Sequence, residues 1–408
     1  MILTTSITNF LSFKQKTTFN MIANSSKILK YNYIIKNDKK ILKTATIYGV
    51  NASGKSNFFK IIYMVVFMLR NSNNTNINDK LPIIPFKFDK HTITQPSEFE
   101  IQFISNNNRY IYGFKADSNN IYQEYLYQYN NRKVKIFCRE NINKYSYNKK
   151  YEKFLKGIEN KNSHNKFFLS TATNWNFKPT KEAYQFITNG INVCFNMDEV
   201  KNLAFNIYAE GDKQLKEFTL QFLNKTNFNI EDYNVTKIDV PKDIFTNMPE
   251  AIKNTMSEKI KGFQVLFKHK GASEYLNFNV ESLGTQMIFL FIPFIYETLG
   301  RQKTLIIDEL NRSLHPFLTH YIVDTFNDSD INKNGSQLIF NTNDTYLLSL
   351  NILRSDQIWF TEKNNDNGES YLYSLNEFPI KKYDNIELSY RLRKYSAVPF
   401  IQNTLNLI

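Results

Sequence analysis

The run of residues 49–56, GVNASGKS, constrains this chain more than any other feature of its sequence. It matches the pattern G-x-x-x-x-G-K-[ST], which forms a tight glycine loop between a strand and a helix. The β-prone run 44–48 precedes the loop and the apolar run 57–70 follows it. The sequence therefore predicts a strand, this loop and a buried helix in that order. The alternative is a glycine turn that binds nothing, and the flanking runs favour the first interpretation.

Phosphate binding is the chemistry expected of such a loop. Backbone N–H groups of the loop and of the helix N-terminus would hold a β-phosphate, and Lys55 would reach the β- and γ-phosphates. The hydroxyl of Ser56 would ligate Mg²⁺. The sequence thus predicts a nucleotide site at the end of the strand 44–48.

Two carboxylates end a second apolar strand, residues 304–309, TLIIDE. In a protein with a phosphate-binding loop, one carboxylate at a strand end holds Mg²⁺ and a second can polarise the attacking water. A strand that ends in Asp-Glu at a solvated surface is common, so this motif gains its meaning from the loop at 49–56. We assign Asp308 to magnesium and Glu309 to the general base.

The hydrophobic pattern divides the chain into three predicted parts. Alternating apolar residues in 1–139 predict antiparallel strands, with two in 99–117 and a third in 121–129. Stretches rich in Lys, Glu and Asn predict a mainly helical insertion over 140–261. Over 262–408 strands alternate with helices, which predicts a mainly parallel sheet and an α/β fold.

Smaller elements of the last part are also predicted. The runs 262–269 and 275–280 resemble a hairpin, and an apolar helix over about 285–298 follows, which Pro293 can kink. The remaining predicted elements are a helix at 314–326, a strand at 337–341, a helix near Tyr346 and a strand at 357–362.

Composition excludes several classes of protein. The chain has 408 residues, and its two cysteines, Cys138 and Cys194, provide neither a disulfide framework nor a zinc cluster. The N-terminus lacks the pattern of a signal peptide. The longest apolar runs, 61–69 and 287–296, are shorter than the ~20 residues of a membrane-spanning helix. We expect a cytoplasmic protein that does not enter a membrane.

The charge balance is positive, with 51 Lys+Arg against 38 Asp+Glu and a net charge of +13. Such a surplus suits polyanionic partners, which include nucleic acid, an anionic membrane face or an acidic protein that imitates DNA. The basic residues are scattered, so a solvated surface explains them equally well. Lys149, Lys150, Lys381 and Lys382 are examples.

Four segments together resemble a known family. They are YGVNASGKSN at 48–57, ESLGTQ at 281–286, Asp308-Glu309 followed by SLHP at 313–316, and DQIWF at 356–360. This combination is similar to ABC-type ATPases of prokaryotic abortive-infection and antiphage operons, including the ATPase subunits of the PARIS and Septu systems. More distantly it resembles OLD, RecF and SMC heads. The resemblance runs from NFLSF at 9–13 to SAVPFI at 396–401.

The resemblance implies an ABC-type P-loop ATPase head with an antiparallel β lobe, a mainly parallel core sheet and a helical insertion. It implies ATP and Mg²⁺ as cofactors. Ser282 and Gly284 would form the signature that touches the γ-phosphate bound to a second protomer, although Ser-x-Gly before a helix also fits an ordinary N-cap. The nucleotide-binding residues of the loop would be Gly49, Asn51, Gly54, Lys55, Ser56 and Asn57.

One position departs from the family pattern. Asn343 stands where the family carries a switch histidine after its strand, and an amide cannot carry a positive charge. Because Asn343 occupies the position of the switch residue, we assign it to the catalytic set. Because its amide is uncharged, we expect slow hydrolysis. Gln95 and Gln102 are the candidates for a Q-loop glutamine. His315 and His320 are interpreted as structural residues, because further metal ligands are not in view.

Two functions of different class follow from the sequence. In the first, a homodimer or larger oligomer that shares ATP sites acts as sensor or scaffold of an antiphage defence system. It would answer to a phage-encoded trigger and control a separate effector, a nuclease or a toxin. The alternative is a RecF- or SMC-like repair or chromosome clamp that binds nucleic acid directly. An ABC transporter subunit is disfavoured by the long insertion.

Overall fold

The computed structural model describes residues 1–130, 132–241, 259–381 and 384–397. Within these ranges the chain forms two compact units. The first comprises the described residues of Met1–Phe195, Thr298–Asn311 and Thr319–Ile408, and the second those of Asn196–Glu297 and Arg312–Leu318. Lys382, residues 242–258 of the predicted insertion and the end of the SAVPFI segment lie outside the described residues.

An antiparallel sheet forms one layer of the first unit. In the described residues it has seven strands in the order β10-β9-β8-β7-β6-β1-β2. Its strands are β1 Ile2–Thr8, β2 Thr17–Asn20, β6 Ser97–Ser105, β7 Asn108–Ala116, β8 Ile121–Asn130, β9 Arg132–Glu140 and β10 Lys144–Tyr147. A separate two-stranded ribbon pairs β3 Tyr33–Lys36 with β4 Lys39–Leu42.

A second sheet forms the core of the first unit. Its order is β11-β15-β16-β5-β17-β18 over the part of the chain that the structure describes. All neighbouring pairs are parallel except β17 with β18. Every residue of β5 is buried, as is typical of a parallel strand covered on both faces. The strands are β5 Thr44–Gly49, β11 Ile191–Cys194, β15 Thr304–Ile307, β16 Gln337–Asn341, β17 Ile358–Lys363 and β18 Ser370–Ser374.

Helix α1, Lys55–Asn71, follows β5 and lies in the main hydrophobic core of the first unit. Its buried Phe58 and Ile62 belong to the same cluster as Phe99 of β6 and Ile339 of β16. One helix therefore packs with residues of both sheets, which fixes the glycine loop at its N-terminus. The remaining helices are α2 Lys90–Ile93, α3 Glu152–Glu159, α4 Phe168–Asn174, α5 Lys178–Asn189, α6 Met197–Glu210, α7 Lys213–Lys225, α8 Leu283–Arg301, α9 Pro316–Asn327 and α10 Ile386–Arg391.

The second unit contains α6, α7, most of α8 and an antiparallel sheet. That sheet consists of β12 Ile230–Pro241, β13 Lys259–His269 and β14 Leu276–Asn277. Its core is aromatic: the ring centroids of Tyr208 and Phe289 are 4.2 Å apart, and those of Phe267 and Phe289 are 4.7 Å apart. Among the described residues, α8 is the one helix long and apolar enough to cross a membrane, and 61% of its apolar window is buried inside the protein.

The predicted α/β class, with an antiparallel lobe and a mainly parallel core sheet, is confirmed. The strand, loop and helix around residues 44–71 lie where the sequence predicted them, as do the strands of 97–130 and the hairpin that ends at β14. Near Tyr346 the expected helix is a single 3₁₀ turn, Thr345–Leu347, which Asp344 caps.

The division into units differs from the predicted three parts. Residues 140–195 belong to the first unit, because β11 pairs in parallel with β15 and Phe186 of α5 stacks on Phe103 of β6 at 4.3 Å. The predicted insertion also contains a long strand, β12, which pairs with β13 along its length. Alternation in β12 is weak in the sequence because its outer residues are exposed on both faces.

Candidate functional site

The glycine loop begins at the end of β5 and closes at Gly54, the N-cap residue of α1. Gly54 has φ +114°, and a Cβ there would lie 2.5 Å from the Oγ of Ser370. Ala52 is also in the left-handed region, with φ +66°. Alternation of right- and left-handed residues turns successive N–H groups toward one point, which forms a concave anion-binding nest. The loop backbone is therefore shaped to receive a phosphate.

Lys55 lies folded over this loop. Its Nζ donates hydrogen bonds to the carbonyl oxygens of Gly49 at 2.6 Å and Val50 at 3.0 Å, and the residue is only 7% exposed. Burial lowers the pKa of Lys55, and the negative charges of Glu309 and Asp308 oppose that shift. Phosphate oxygens could take the place of both carbonyl oxygens as hydrogen-bond acceptors of the Lys55 ammonium.

Asn341, the last residue of β16, ties the two carboxylates together. Its Nδ2 donates to Asp308 Oδ1 at 2.5 Å, and its Oδ1 accepts the backbone N–H of Glu309 at 2.6 Å. The Ser56 side chain also hydrogen-bonds Asp308. Burial raises the pKa of Asp308, and the hydrogen bonds from Asn341 and Ser56 oppose that shift. A half-buried carboxylate at this position is suited to hold a hard cation.

The glycine loop and Glu309 line one cavity of about 440 Å³. Glu309 lines it together with the loop residues; it is exposed and has φ +55°, and its backbone N–H donates to Asn341. Asn51 and Asn57 line the same cavity, and the amide of Asn57 donates to Ser12 Oγ at 2.9 Å. The structure thus brings the predicted loop residues and Glu309 to one place.

The residues present fit Mg²⁺. Ser56 and Asp308 offer a hydroxyl and a carboxylate, which are the hard oxygen ligands that this ion takes, and phosphates and waters complete such sites. Within the described ranges no group of three or more His, Cys, Asp or Glu side chains could hold a metal ion by itself. His315 lies against the ring of Phe317, and His320 is 3.6 Å from Asp324.

Asn343 and the two candidate Q-loop glutamines, Gln95 and Gln102, do not line this cavity. Asn343 is exposed, and its backbone N–H donates to Asn311 at 3.4 Å. Gln95 is exposed in a separate depression, and the side chain of Gln102 accepts a hydrogen bond from Arg109. The roles assigned to these three residues stay predictions.

The signature segment lies in the second unit, at the start of α8. The Oγ of Ser282 accepts the backbone N–H of Thr285 at 3.1 Å, so it caps the helix. A Cβ at Gly284 would lie 2.9 Å from the carbonyl oxygen of Ser313, which leaves no room for a side chain there. Ser282 is exposed, and Leu283 between the two residues is 67% exposed.

Sequence reasoning missed Asn341. The signal was available in part, since Asn341 ends a buried apolar strand, QLIFN, as Asp308 follows another. What the sequence lacked was the order of the strands, which places β16 directly between β5 and β15. Polar residues at the carboxyl ends of neighbouring parallel strands meet at one edge of the sheet.

Solved structures with a distant likeness include SMC heads. The SmcHead bound to the C-winged helix domain of ScpA is 12% identical, with 91% of this chain and 97% of that chain covered and a TM-score of 0.45. The SMC head domain from Thermotoga maritima is 11% identical, with 91% and 98% covered and a TM-score of 0.41. An Smc head with an extended coiled coil, bound to the C-terminal domain of ScpA derived from Pyrococcus furiosus, is 13% identical, with 96% and 99% covered and a TM-score of 0.41.

No curated protein matches the sequence. A family of domains does match it, over residues 45–349, and its description is "AAA domain, putative AbiEii toxin, Type IV TA system". The matched range contains the glycine loop, the carboxylate strand and Asn341. Since it covers more than half of the 408 residues, this chain belongs to that family of AAA domains.

Proposed function

We propose that this protein is an ATP-binding and ATP-hydrolysing head of the ABC type. The observation that carries the proposal is that Lys55, Ser56 and Glu309 line one cavity. Asp308 does not line it but interacts with the Ser56 side chain through a hydrogen bond. A cation, two magnesium ligands and a candidate base around an N–H nest match the requirements of phosphoryl transfer.

Each residue has a role in this proposal. Lys55 exchanges its two carbonyl partners for phosphate oxygens, and Ser56 with Asp308 orients a magnesium ion. When bound, Mg²⁺ neutralises the charge of the phosphates. Glu309 accepts the proton of the attacking water, and Asn341 holds its backbone in place. Slow hydrolysis is expected, because the exposed amide of Asn343 supplies no positive charge.

The proposal includes a shared site. Ser282 and Gly284 of one copy would face the nucleotide bound by a second copy, as the signature of related heads implies. The exposure of Ser282 and Leu283 supports this part, since a segment that contacts a partner must be accessible. Backbone N–H groups at the start of the long helix α8 favour a negatively charged phosphate.

For the biological role we propose a sensor or scaffold of an antiphage defence system that controls a separate effector protein. The family description, which names a toxin–antitoxin system, supports this role. A second candidate is a clamp that binds DNA directly, which the net charge of +13 favours. Both roles use the same ATP-dependent dimer, and they differ in the partner.

Light scattering tests the shared site. Glu309→Gln keeps Asp308 and removes the base, so ATP with Mg²⁺ is expected to double the mass of this variant. Adding Ser282→Arg is expected to abolish the doubling, because it places bulk at the facing phosphate. An identical mass for both variants, with and without ATP, contradicts the proposal.

DNA binding separates the two roles. A clamp is expected to bind duplex DNA and to lose on the order of 10³-fold in affinity between 50 and 200 mM salt. Fluorescence anisotropy of the Glu309→Gln variant with ATP measures this. Steep salt-dependent binding supports the clamp, whereas the absence of DNA binding at 50 mM salt supports the sensor with a separate effector.

A further inference from the structure

A second cavity of about 740 Å³ adjoins the proposed ATP site. It shares Val50, Asn51, Ala52 and Lys363 with the cavity of the glycine loop, so the two form one continuous depression. We call the second cavity the β17 groove, because Lys363 is the last residue of β17 and the turn 365–368 that follows forms a wall. Nothing in the roles assigned so far uses this space.

Strand order gives the groove a direction relative to the phosphates. In the core sheet β15 lies on one side of β5, with β16 between them, and β17 lies on the other side of β5. Asp308 and Glu309 follow β15, so the magnesium ion and terminal phosphate belong on that side of the loop. The opposite end of a bound nucleotide, its nucleoside, then extends toward β17 and its groove.

Phe88 gives the groove an aromatic surface. Phe88 is 71% exposed and lines the groove, so its ring is accessible to a ligand bound there. The turn backs this ring closely, since a Cβ at Gly368 would lie 3.0 Å from the ring and Gly368 has φ +73°. The ring of Phe86 supports it at 5.7 Å. Gly368 and Phe86 therefore support the ring of Phe88, and most of its surface is exposed.

Lys363 stands at the junction of the two cavities. Its Nζ lies 5.5 Å from the centroid of the Phe88 ring, a cation–π contact. Within the described residues Lys363 forms no ion pair with a carboxylate. Because Lys363 lines both cavities, its ammonium can serve a group that lies between an aromatic-bound base and a loop-bound phosphate.

We infer that the β17 groove is the nucleoside subsite of this protein, in which the base stacks on Phe88 and Lys363 faces the sugar–phosphate junction. The inference rests on the proposed ATP-binding function. Stacking of a nucleobase on an aromatic ring is sequence-tolerant, since every base has a π face, and is worth ~1–3 kcal/mol per base. Phe88 is thus a binding residue that the glycine-loop motif does not reveal.

The test separates the nucleoside from the phosphates. Affinities for ATP and for inorganic tripolyphosphate, both with Mg²⁺, are measured by calorimetry on the full chain and on Phe88→Ala. We expect Phe88→Ala to weaken ATP by about 5- to 100-fold and tripolyphosphate by less than about twofold. Phe88→Trp keeps the stacking surface and is expected to retain ATP affinity. Phe154→Ala, a change of an equally apolar ring at 48% exposure on α3, is the matched control.

Each other result overturns the inference. If Phe88→Ala binds ATP as tightly as the unmodified chain, the base does not stack on Phe88. If Phe88→Ala loses affinity for ATP and for tripolyphosphate equally, the substitution has damaged the phosphate loop instead. Failure of the proposed function gives a different result. In that case the unmodified chain binds neither ATP nor tripolyphosphate, or the Lys55→Met variant still binds both. Loss of both ligands in Lys55→Met with intact ATP binding in Phe88→Ala overturns the inference alone.

Discussion

The glycine-loop cavity of the first unit and the signature segment of the second unit are built in opposite ways. At the cavity, Lys55 is buried and the neighbouring Asp308 is half-buried, and both already hold hydrogen-bond partners. In the signature segment, Ser282 is exposed and its hydroxyl caps its own helix. The first is a pocket whose polar groups are already positioned, whereas the second is an accessible surface segment.

Large apolar side chains are exposed near the signature segment of the second unit. Val280, Leu283 and Phe317 of the second unit are 72%, 67% and 62% exposed. Leu283 lies within the signature segment, Val280 lies two residues before Ser282, and the carbonyl oxygen of Ser313 lies against Gly284. Exposed apolar side chains near a functional segment favour a protein partner. The glycine-loop half of the proposed site is therefore preorganised within one chain, whereas the shared-site proposal requires the exposed signature segment to meet a second copy.

The largest expected effect lies in the buried half. Lys55→Met keeps the stem and removes the cation, so ATP affinity is expected to fall about 100-fold or more, because the phosphates lose a charge-assisted contact. Calorimetry with ATP and Mg²⁺ measures the loss. Lys60→Met on the same helix, outside the cavity lining, is the control. Unchanged affinity in Lys55→Met would show that the loop is an ordinary glycine turn.

In the exposed half, Ser282→Asp separates capping from phosphate contact. Asp caps a helix N-terminus about as well as Ser, so thermal stability is expected to stay within about 0.5 kcal/mol. The added negative charge would oppose a facing phosphate, so the ATP-dependent dimer of Glu309→Gln is expected to be lost. Light scattering and a melting curve on the same sample check both. A dimer that persists would assign Ser282 to capping alone.

Asn341 and Asn343 form a matched pair of amides two residues apart. Asn341→Leu removes the group that positions Asp308 and Glu309, so hydrolysis is expected to slow about 10- to 100-fold. Asn343→Leu changes an exposed amide outside the cavity lining and is expected to alter hydrolysis less than about threefold. Steady-state phosphate release compares them. Equal losses would support the catalytic role that the sequence predicts for Asn343.

The smallest expected effect concerns stability. The pKa of Asp308 is raised in the folded chain, so ionising it costs the native state free energy, and this cost is fully present at neutral pH. Asp308→Asn is therefore expected to raise the melting temperature at pH 7.5, by roughly 2 °C. The gain should shrink as the pH falls and vanish only below about pH 3, where the carboxyl is protonated in both the folded and the unfolded state.

The control for that prediction is Asp330→Asn, a change of an exposed carboxylate in the same unit, which is expected to leave the melting temperature unchanged. A lower melting temperature for Asp308→Asn at pH 7.5 would mean that the hydrogen bonds from Asn341 and Ser56 outweigh the cost of burial.

The sequence predicted the parts of the site that depend on local pattern. The loop at 49–56 and the carboxylates after β15 each follow an apolar strand directly in the sequence, so a local pattern is enough to identify them. Asn341 and Phe88 could not be found in that way, because their importance depends on which strands and loops are neighbours in space. The strand β12 was missed for another reason: its outer half is exposed on both faces, which removes the alternation.

Mixing two inactive variants tests the shared site most directly. Lys55→Met carries an intact signature segment and Ser282→Asp carries an intact glycine loop, so each homodimer is expected to be inactive in ATP hydrolysis. In an equal mixture, half of the dimers are mixed and each has one intact site, so hydrolysis is expected to recover to about a quarter of the unmodified rate. A mixture as inactive as its two components would contradict a site built from two copies of this chain.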